Sequence, residues 1–193
     1  MRIIAGRHRG RRLLAPPGDA TRPTADRVRQ AAFDMLWHAP WAGRGLVDGA
    51  RVLDAFAGTG AMGLEAISRG AAHATFLEND SAALAAIRGN IAALREGERC
   101  AVLAGDATRP PRAPWPCGLV FLDPPYGQGL AETAFAAFLA AGWIAPGAVV
   151  CAEHGAGRTP ADAPAPPGFA LLAQRAHGAV LVRFFRAPEK AGA

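Results

Sequence analysis

The stretch "LDAFAGTGAMG", Leu53 to Gly63, decides the fold class of this chain. It joins an apolar run to a glycine turn with the spacing Gly58-x-Gly60-x-x-Gly63, and the acid Glu78 follows twenty positions after Gly58. This pattern is typical of a turn that holds the phosphates of a dinucleotide at the N-terminus of a helix. The turn alone leaves open whether the chain binds NAD or another adenosine-bearing cofactor, or serves only as a structural turn.

Short apolar runs alternate with helical stretches around this turn. Strands are predicted at residues 51–55, 74–78, 101–104, 119–122 and 148–152, and helices at residues 61–69, 81–95 and 130–140. Strands that are almost wholly apolar and alternate with helices form parallel sheets covered on both faces. Two further runs, 169–175 and 179–185, lie too close together for a crossover helix and predict an antiparallel hairpin on the sheet edge. We therefore predict a doubly wound α/β fold with a seven-stranded, mostly parallel sheet.

Residues 1–40 are predicted to form a basic extension that packs on a domain of residues 41–189. The runs "RIIAG" and "RRLLAP" predict a small hairpin, and Thr24 is suited to cap a following helix. Residues 1–30 contain eight arginines and two aspartates, whereas the remaining chain contains thirteen basic and fourteen acidic residues. The extension thus supplies the whole formal net charge of +5. A cationic arm on a nearly neutral body suits a polyanion such as a nucleic acid, although a solvated basic surface is the alternative.

Length and composition argue against a disulfide-bonded, metal-binding or membrane protein. At 193 residues the chain has the length of one domain. The three cysteines lie far apart and the histidines form no spaced cluster, so neither a disulfide framework nor a metal site is expected. The N-terminal apolar run is too short for a signal peptide, and the uncharged stretch 134–152 is interrupted by glycine and proline. We expect a cytoplasmic protein without a membrane segment.

Four of the five predicted parallel strands end with an acidic residue or nearly so, at the end of the sheet where ligands bind. Asp54 lies beside the glycine turn, where it would repel a pyrophosphate but attract the ammonium and sulfonium groups of S-adenosylmethionine. Glu78 can accept both ribose hydroxyls of either cofactor. Asp106 can accept from an adenine amino group, or it is a turn residue. The fifth strand ends near Glu153 and carries no further motif.

The stretch "FLDPPYG", residues 121–127, favours the methyl donor over NAD. Two prolines make a rigid turn without backbone donors, so their carbonyls and the Asp123 carboxylate are available as acceptors. These acceptors, with an aromatic face at Tyr126, suit an exocyclic amine on a flat heterocycle that has left its base stack. Hydrogen bonds to the amine would aim its lone pair at a sulfonium methyl group. A proline turn capped by an aspartate is the alternative without a ligand.

Two runs together resemble a known family. "VLDAFAGTGAMGLEAISRGA" and "FLDPPY" resemble the class I methyltransferases that modify exocyclic base nitrogens, and "TRPTADRVRQAAFDML" is similar to the RsmD family. Gln30 stands where the family pattern has Glu. The resemblance implies transfer of a methyl group from S-adenosylmethionine to N2 of guanine 966 in 16S ribosomal RNA, within small-subunit particles. We expect the protein to be a monomer. Because DNA adenine methyltransferases share the D-P-P-Y run, an adenine-N6 methyltransferase acting on DNA or RNA is the alternative.

The resemblance, together with the patterns above, assigns three groups of residues. The predicted catalytic residues are Asp123, Pro124, Pro125 and Tyr126. The predicted cofactor-binding residues are Asp54, Phe56, Ala57, Gly58, Gly60, Glu78, Asn79, Asp106 and Ala107. The predicted RNA-binding residues are Arg7, Arg9, Arg11, Arg12, Arg22, Thr24, Arg27 and Arg29.

Overall fold

Seven strands form one mixed sheet in the computed structural model, which describes residues 1–15, 23–124, 130–155 and 164–189. In chain order the strands are β1 (Arg51–Ala55), β2 (His73–Glu78), β3 (Cys100–Ala104), β4 (Cys117–Leu122), β5 (Ile144–Gly155), β6 (Ala170–His177) and β7 (Val180–Arg186). Their spatial order is β3-β2-β1-β4-β5-β7-β6. Strands β1 to β5 are parallel, and β7 pairs antiparallel with both β5 and β6. The predicted doubly wound sheet with its antiparallel hairpin is confirmed.

Four α-helices in the described residues cover the two faces of the sheet. They are α1 (Pro23–His38), α2 (Ala61–Ser68), α3 (Ser81–Leu94) and α4 (Leu130–Ala140). Phe33 of α1, Ile67 of α2 and Ile87 of α3 belong to one buried core. Phe135 and Phe138 of α4 belong to a second core on the opposite face. Because both faces are buried, the strands read as continuous apolar runs rather than as alternating ones.

Strand β5 is longer than the predicted 148–152. Its parallel pairing with β4 begins at Ile144 and shifts in register before Val149, near Pro146 and Gly147. At its other end, antiparallel pairing with β7 continues to Gly155. Partner strands that are remote in sequence therefore extend β5 beyond the apolar run that predicted it.

The two N-terminal runs pair antiparallel, as predicted, but through a single bridge between Arg2 and Arg12. The amides of Ile4 and Ala5 donate instead to the Glu65 carboxylate of α2, at 2.7 and 3.0 Å. These two amides could donate to the carbonyl groups of a neighbouring strand, but they donate to a buried carboxylate instead. The extension packs on the core, while the predicted domain boundary at residue 40 stays a prediction.

Neither a membrane span nor a metal cluster is found in the described part of the chain. No helix there is long and apolar enough to cross a membrane. No three His, Cys, Asp or Glu side chains are grouped to hold a metal ion there.

Candidate cofactor and nucleobase site

The glycine turn connects the end of β1 to the start of α2. Gly60 is the N-cap residue of α2 and provides no side-chain cap, and the Asp54 carboxylate accepts the Gly63 amide at 2.8 Å. A Cβ on Gly63 would lie 2.4 Å from the Phe76 ring, so glycine allows α2 to pack directly on β2. A Cβ on Gly58, at φ +54°, would meet no protein atom within 4 Å. The backbone at Gly58 is therefore accessible to a ligand, next to the buried carboxyl group of Asp54.

Three carboxyl groups surround this turn. Burial is the largest cause that raises the pKa of Asp54 to about 8, and the charges of Asp123 and Glu78 raise it further. The Gly63 amide and the Arg29 guanidinium act in the opposite direction. Three converging carboxyl groups would repel a pyrophosphate and attract a ligand with an ammonium and a sulfonium. S-adenosylmethionine is the cofactor that this set of residues fits.

The remaining predicted cofactor residues lie along the same edge of the sheet. Phe56 is partly buried, with φ +59°, and Ala57 is buried. The Glu78 carboxylate accepts the Gly58 amide at 2.7 Å and the Asn79 amide at 2.8 Å, so it ties the end of β2 to the turn. Each carboxylate oxygen has more than one lone pair, so these bonds are compatible with a ribose contact.

Asp106 follows β3 and forms a local turn. Its carboxylate accepts the backbone amide and the hydroxyl of Thr108, both at 2.8 Å. These two hydrogen bonds hold the pKa of Asp106 below its usual value. The neighbouring Ala107 is buried, whereas the Asp106 side chain is exposed. The local hydrogen bonds account for the position of the Asp106 side chain without a ligand, so a contact with adenine stays a prediction.

The described part of the predicted catalytic run, Asp123 and Pro124, lies beside the glycine turn. Strand β4 pairs in parallel with β1, with Asp54 opposite Phe121, so Asp123 follows at the same end of the sheet. Asp123 is exposed, but the surrounding protein reduces the solvation of its carboxyl group and raises its pKa. Pro124 is buried. Pro125 and Tyr126 lie outside the described residues.

Glu153, on β5, is the acid that sequence patterns did not assign to the site. Its strand lies next to β4, and the pairs Phe121–Cys151 and Leu122–Ala152 are in register. Burial and then the charge of Asp123 raise the pKa of Glu153. The signal in the sequence is a fifth apolar run that ends in an acid, like the others.

The structure corrects the prediction for Arg29. This side chain is 3% exposed, and it donates to the Arg2 carbonyl at 2.6 Å and to Asp26 at 2.9 Å. Its Nε also lies 3.7 Å from the Glu65 carboxylate. Arg29 is therefore an internal counter-ion and does not belong to the basic surface.

The other predicted RNA-binding residues are distributed as follows. The exposed arginines of the extension that were predicted to bind RNA are Arg7, Arg9, Arg11, Arg12 and Arg27. Arg22 and the side chain of Thr24 lie outside the described part of the chain.

Asn90 of α3 links the extension to the glycine turn. Its side-chain amide donates to the carbonyls of Thr59 and Leu14, at 3.0 and 3.1 Å, and its oxygen accepts the Leu14 amide at 2.7 Å. The Thr59 hydroxyl contacts the Met1 sulfur at 3.2 Å. The signal in the sequence is an asparagine inside an alanine-rich helix, where it has no local benefit. The predicted RNA-binding segment and the predicted cofactor turn are therefore joined through one buried side chain.

We expect cofactor binding to depend on pH through Asp54. Near neutral pH this carboxyl is largely protonated in the free protein, because its pKa is about 8. A ligand ammonium favours the carboxylate, so the affinity for S-adenosylhomocysteine should rise by up to about tenfold per pH unit between pH 6 and 8 and then level off. Isothermal titration calorimetry in buffers of different ionisation enthalpy should detect proton release at pH 7. Asp54→Asn should bind weakly and lose this pH dependence, and equal affinity of the unaltered protein at pH 6 and 8 would contradict the assignment.

Comparisons with known proteins show the family of this chain. The family model "Conserved hypothetical protein 95" matches residues 1–186. Ribosomal RNA small subunit methyltransferase D of Escherichia coli strain K12 is 39% identical over 153 residues, which are 79% of this chain and 74% of that protein. The Haemophilus influenzae protein of that name is 33% identical over 192 residues, 96% of this chain and 93% of its own. The solved structure of the putative methyltransferase yhhF from Escherichia coli has 34% identity and a TM-score of 0.83, and covers 98% of this chain and 99% of its own. Because the family model, the Haemophilus influenzae protein and the solved structure each match nearly the whole chain, this protein belongs to the Conserved hypothetical protein 95 family, the RsmD family of methyltransferases.

Proposed function

We propose that this protein methylates the exocyclic N2 of a guanine in small-subunit (16S) ribosomal RNA, guanine 966 by family resemblance, with S-adenosylmethionine as the donor. The observation that carries the proposal is the pairing of β1 with β4, since it puts the Asp54 turn and Asp123 side by side. A donor over the first and a base against the second would meet at the same edge of the sheet. The relatives named ribosomal RNA methyltransferases support RNA as the substrate.

The chain's own groups have distinct tasks in this reaction. When bound, S-adenosylmethionine supplies a methyl group on a cationic sulfur. Asp54 attracts the ammonium of the donor, and the open backbone at Gly58 allows close approach. Asp123 and the Pro124 carbonyl accept the two N–H groups of the base amine, so that the nitrogen lone pair faces the methyl group. The nitrogen gains a methyl group and loses one proton, for which the Asp123 carboxylate is the adjacent acceptor.

The exposed arginines of the extension support contact with RNA. Asn90 and Glu65 fix the extension against α2 and α3, next to the glycine turn. Guanidinium groups held on a fixed backbone can bind phosphates around a target base, which must itself leave its stack to enter the site. The extension would then set the position of the RNA, and the site would select the base.

Mass spectrometry of nucleosides from ribosomal RNA tests the proposed function. Cells that lack this protein should lose one N2-methylguanosine from small-subunit RNA, and expression of the intact chain should restore it. Restoration of N6-methyladenosine instead would support the adenine methyltransferase. Unchanged RNA in both strains would contradict a role in ribosomal RNA methylation.

Binding of small-subunit RNA should depend strongly on salt. If the five exposed arginines each meet one phosphate, the slope of log affinity against log salt should be roughly −3.5, which is about two decades of affinity between 50 and 200 mM salt. Filter binding over this range measures the slope. The triple variant Arg9→Ala, Arg11→Ala, Arg12→Ala should reduce its magnitude by about 2.

The matched control removes three exposed arginines elsewhere, with Arg88→Ala, Arg112→Ala and Arg175→Ala. These positions lie outside the extension, so the slope should change little. A larger change in the control than in the extension variant would place the RNA on another surface.

A further inference from the structure

Glu153 lies beside the predicted catalytic acid because of the strand register. Phe121 pairs with Cys151 and Leu122 with Ala152, so the next residues along β4 and β5 are Asp123 and Glu153. Neighbouring strands in a sheet are about 4.8 Å apart. The two acids are therefore adjacent across the sheet at its ligand-binding edge.

The two acids also project from the same face. Successive residues of a strand point to opposite faces, so Glu153 shares its face with Cys151 on β5. Asp123 is the first residue after β4, and its charge raises the pKa values of both Glu153 and Cys151, so it lies near this face as well. Both Phe121 and Cys151 belong to the core under α1, α2 and α3. Asp54, opposite Phe121 on β1, lies on this face too. Glu153 thus faces the candidate site rather than the α4 side.

The charged and titratable groups that act on Glu153 come from four elements. They are Asp123 after β4, Asp54 on β1, Arg29 on α1 and the buried thiol of Cys151 on the same strand. Arg29 is the cation among them, and it is already paired with Asp26. A ligand that brings donors would therefore stabilise the Glu153 carboxylate.

Guanine brings such donors. Its Watson–Crick edge presents N1–H next to the amino group at C2, whereas adenine presents an unprotonated N1, an acceptor, next to its amino group. We propose that Glu153 is a specificity-determining residue, whose carboxylate accepts the guanine N1–H while Asp123 accepts the amino group. This inference rests on the proposed function and adds the choice of base to it.

The electrostatic environment of Glu153 favours the binding of guanine over bases without N1–H. Burial and the charge of Asp123 raise the pKa of Glu153 in the free protein. A hydrogen bond from N1–H favours the carboxylate and offsets this effect. At pH 8.5, above the raised pKa of Glu153, a base without N1–H would leave the carboxylate facing an acceptor, and unpaired polar groups of this kind give strong rejection.

2-Aminopurine separates the two roles, because it keeps the reacting amino group at C2 but has an unprotonated N1. The test uses reconstituted small-subunit particles whose RNA carries guanine or 2-aminopurine at the methylated position, with single-turnover methyl transfer as the readout. At pH 8.5 the unaltered protein should transfer to 2-aminopurine about 100-fold more slowly than to guanine. In Glu153→Gln this penalty should fall below about tenfold, because an amide can donate to N1. Exposed Glu98→Gln is the matched control and should keep the full penalty.

The outcomes distinguish the inference from the function on which it rests. An absence of transfer to guanine by the unaltered protein would overturn the proposed function and this inference with it. Transfer to guanine with the same 2-aminopurine penalty in Glu153→Gln would overturn the inference alone.

A measurement on the unaltered protein covers the case in which Glu153→Gln does not fold. The preference for guanine over 2-aminopurine should increase between pH 6 and 8.5, since protonated Glu153 can donate to an unprotonated N1 and the carboxylate cannot. A preference that is constant over this range would contradict the role of Glu153.

Discussion

Asp123→Ala is expected to reduce methyl transfer by roughly 10² to 10³-fold, the effect of losing one group that is aligned with the reacting atoms. Methyl transfer should fall because Asp123 holds the amine of the base in position, whereas it does not hold the cofactor. S-adenosylhomocysteine should therefore bind to the variant within about threefold of its normal affinity, or more tightly, because loss of the Asp123 charge favours ionisation of Asp54. Single-turnover transfer and calorimetry measure the two quantities separately.

Two variants make this test specific. Asp123→Asn keeps an oxygen acceptor but loses the charge, so its rate should lie between those of the alanine variant and the unaltered protein. Glu98→Gln, at an exposed position that is not among the predicted site residues, should leave transfer unchanged. Normal transfer by Asp123→Ala would remove this carboxylate from the mechanism.

Glu65→Ala is expected to have the largest effect on stability. Glu65 is fully buried, and its carboxylate accepts the amides of Ile4 and Ala5 and the Nε of Arg69, at 2.7 to 3.0 Å. Its removal would leave these donors unsatisfied and would take a counter-charge from buried Arg29. Breaking a buried ionic network in this way costs about 3–5 kcal/mol of unfolding free energy.

Thermal denaturation is the measurement for Glu65. For a chain of this length the expected loss corresponds to a melting temperature lower by about 10 °C. Glu65→Gln, which can still accept from the backbone amides, should lose less. Glu98→Ala is the exposed control and should melt within about 1 °C of the unaltered protein. A melting temperature for Glu65→Ala equal to that of the control would show that the network contributes little.

The same network has a consequence for the site. The Glu65 carboxylate lies on α2, the helix that begins at the glycine turn, and Asn90 joins that turn to the extension. Loss of either contact should release the first residues of the chain before the sheet unfolds, because the sheet is held by other contacts. Early proteolytic cleavage within residues 1–15 would report this release.

The amino-acid sequence was sufficient for the order and type of the elements. Strand β1 and helix α4 have the predicted limits, and most other predicted limits differ by only one or two residues. These features depend on local periodicity and on turn residues such as Gly58 and Gly60, which act over a few neighbouring positions. The glycine turn and the D-P-P-Y run indicated the site for the same reason, since each is a short segment at the end of a strand.

Only the tertiary structure decided the partners of single charged side chains. Arg29 lies two helical turns before buried Leu36, on the same side of α1, and it is covered because Glu65 and the extension pack there. Glu153 adjoins Asp123 because β5 pairs with β4 in one particular register, which a residue pattern within β5 does not specify. Local patterns fix where a chain turns and which face it buries, whereas the environment of a charge depends on segments that are distant in sequence and meet only in the folded chain.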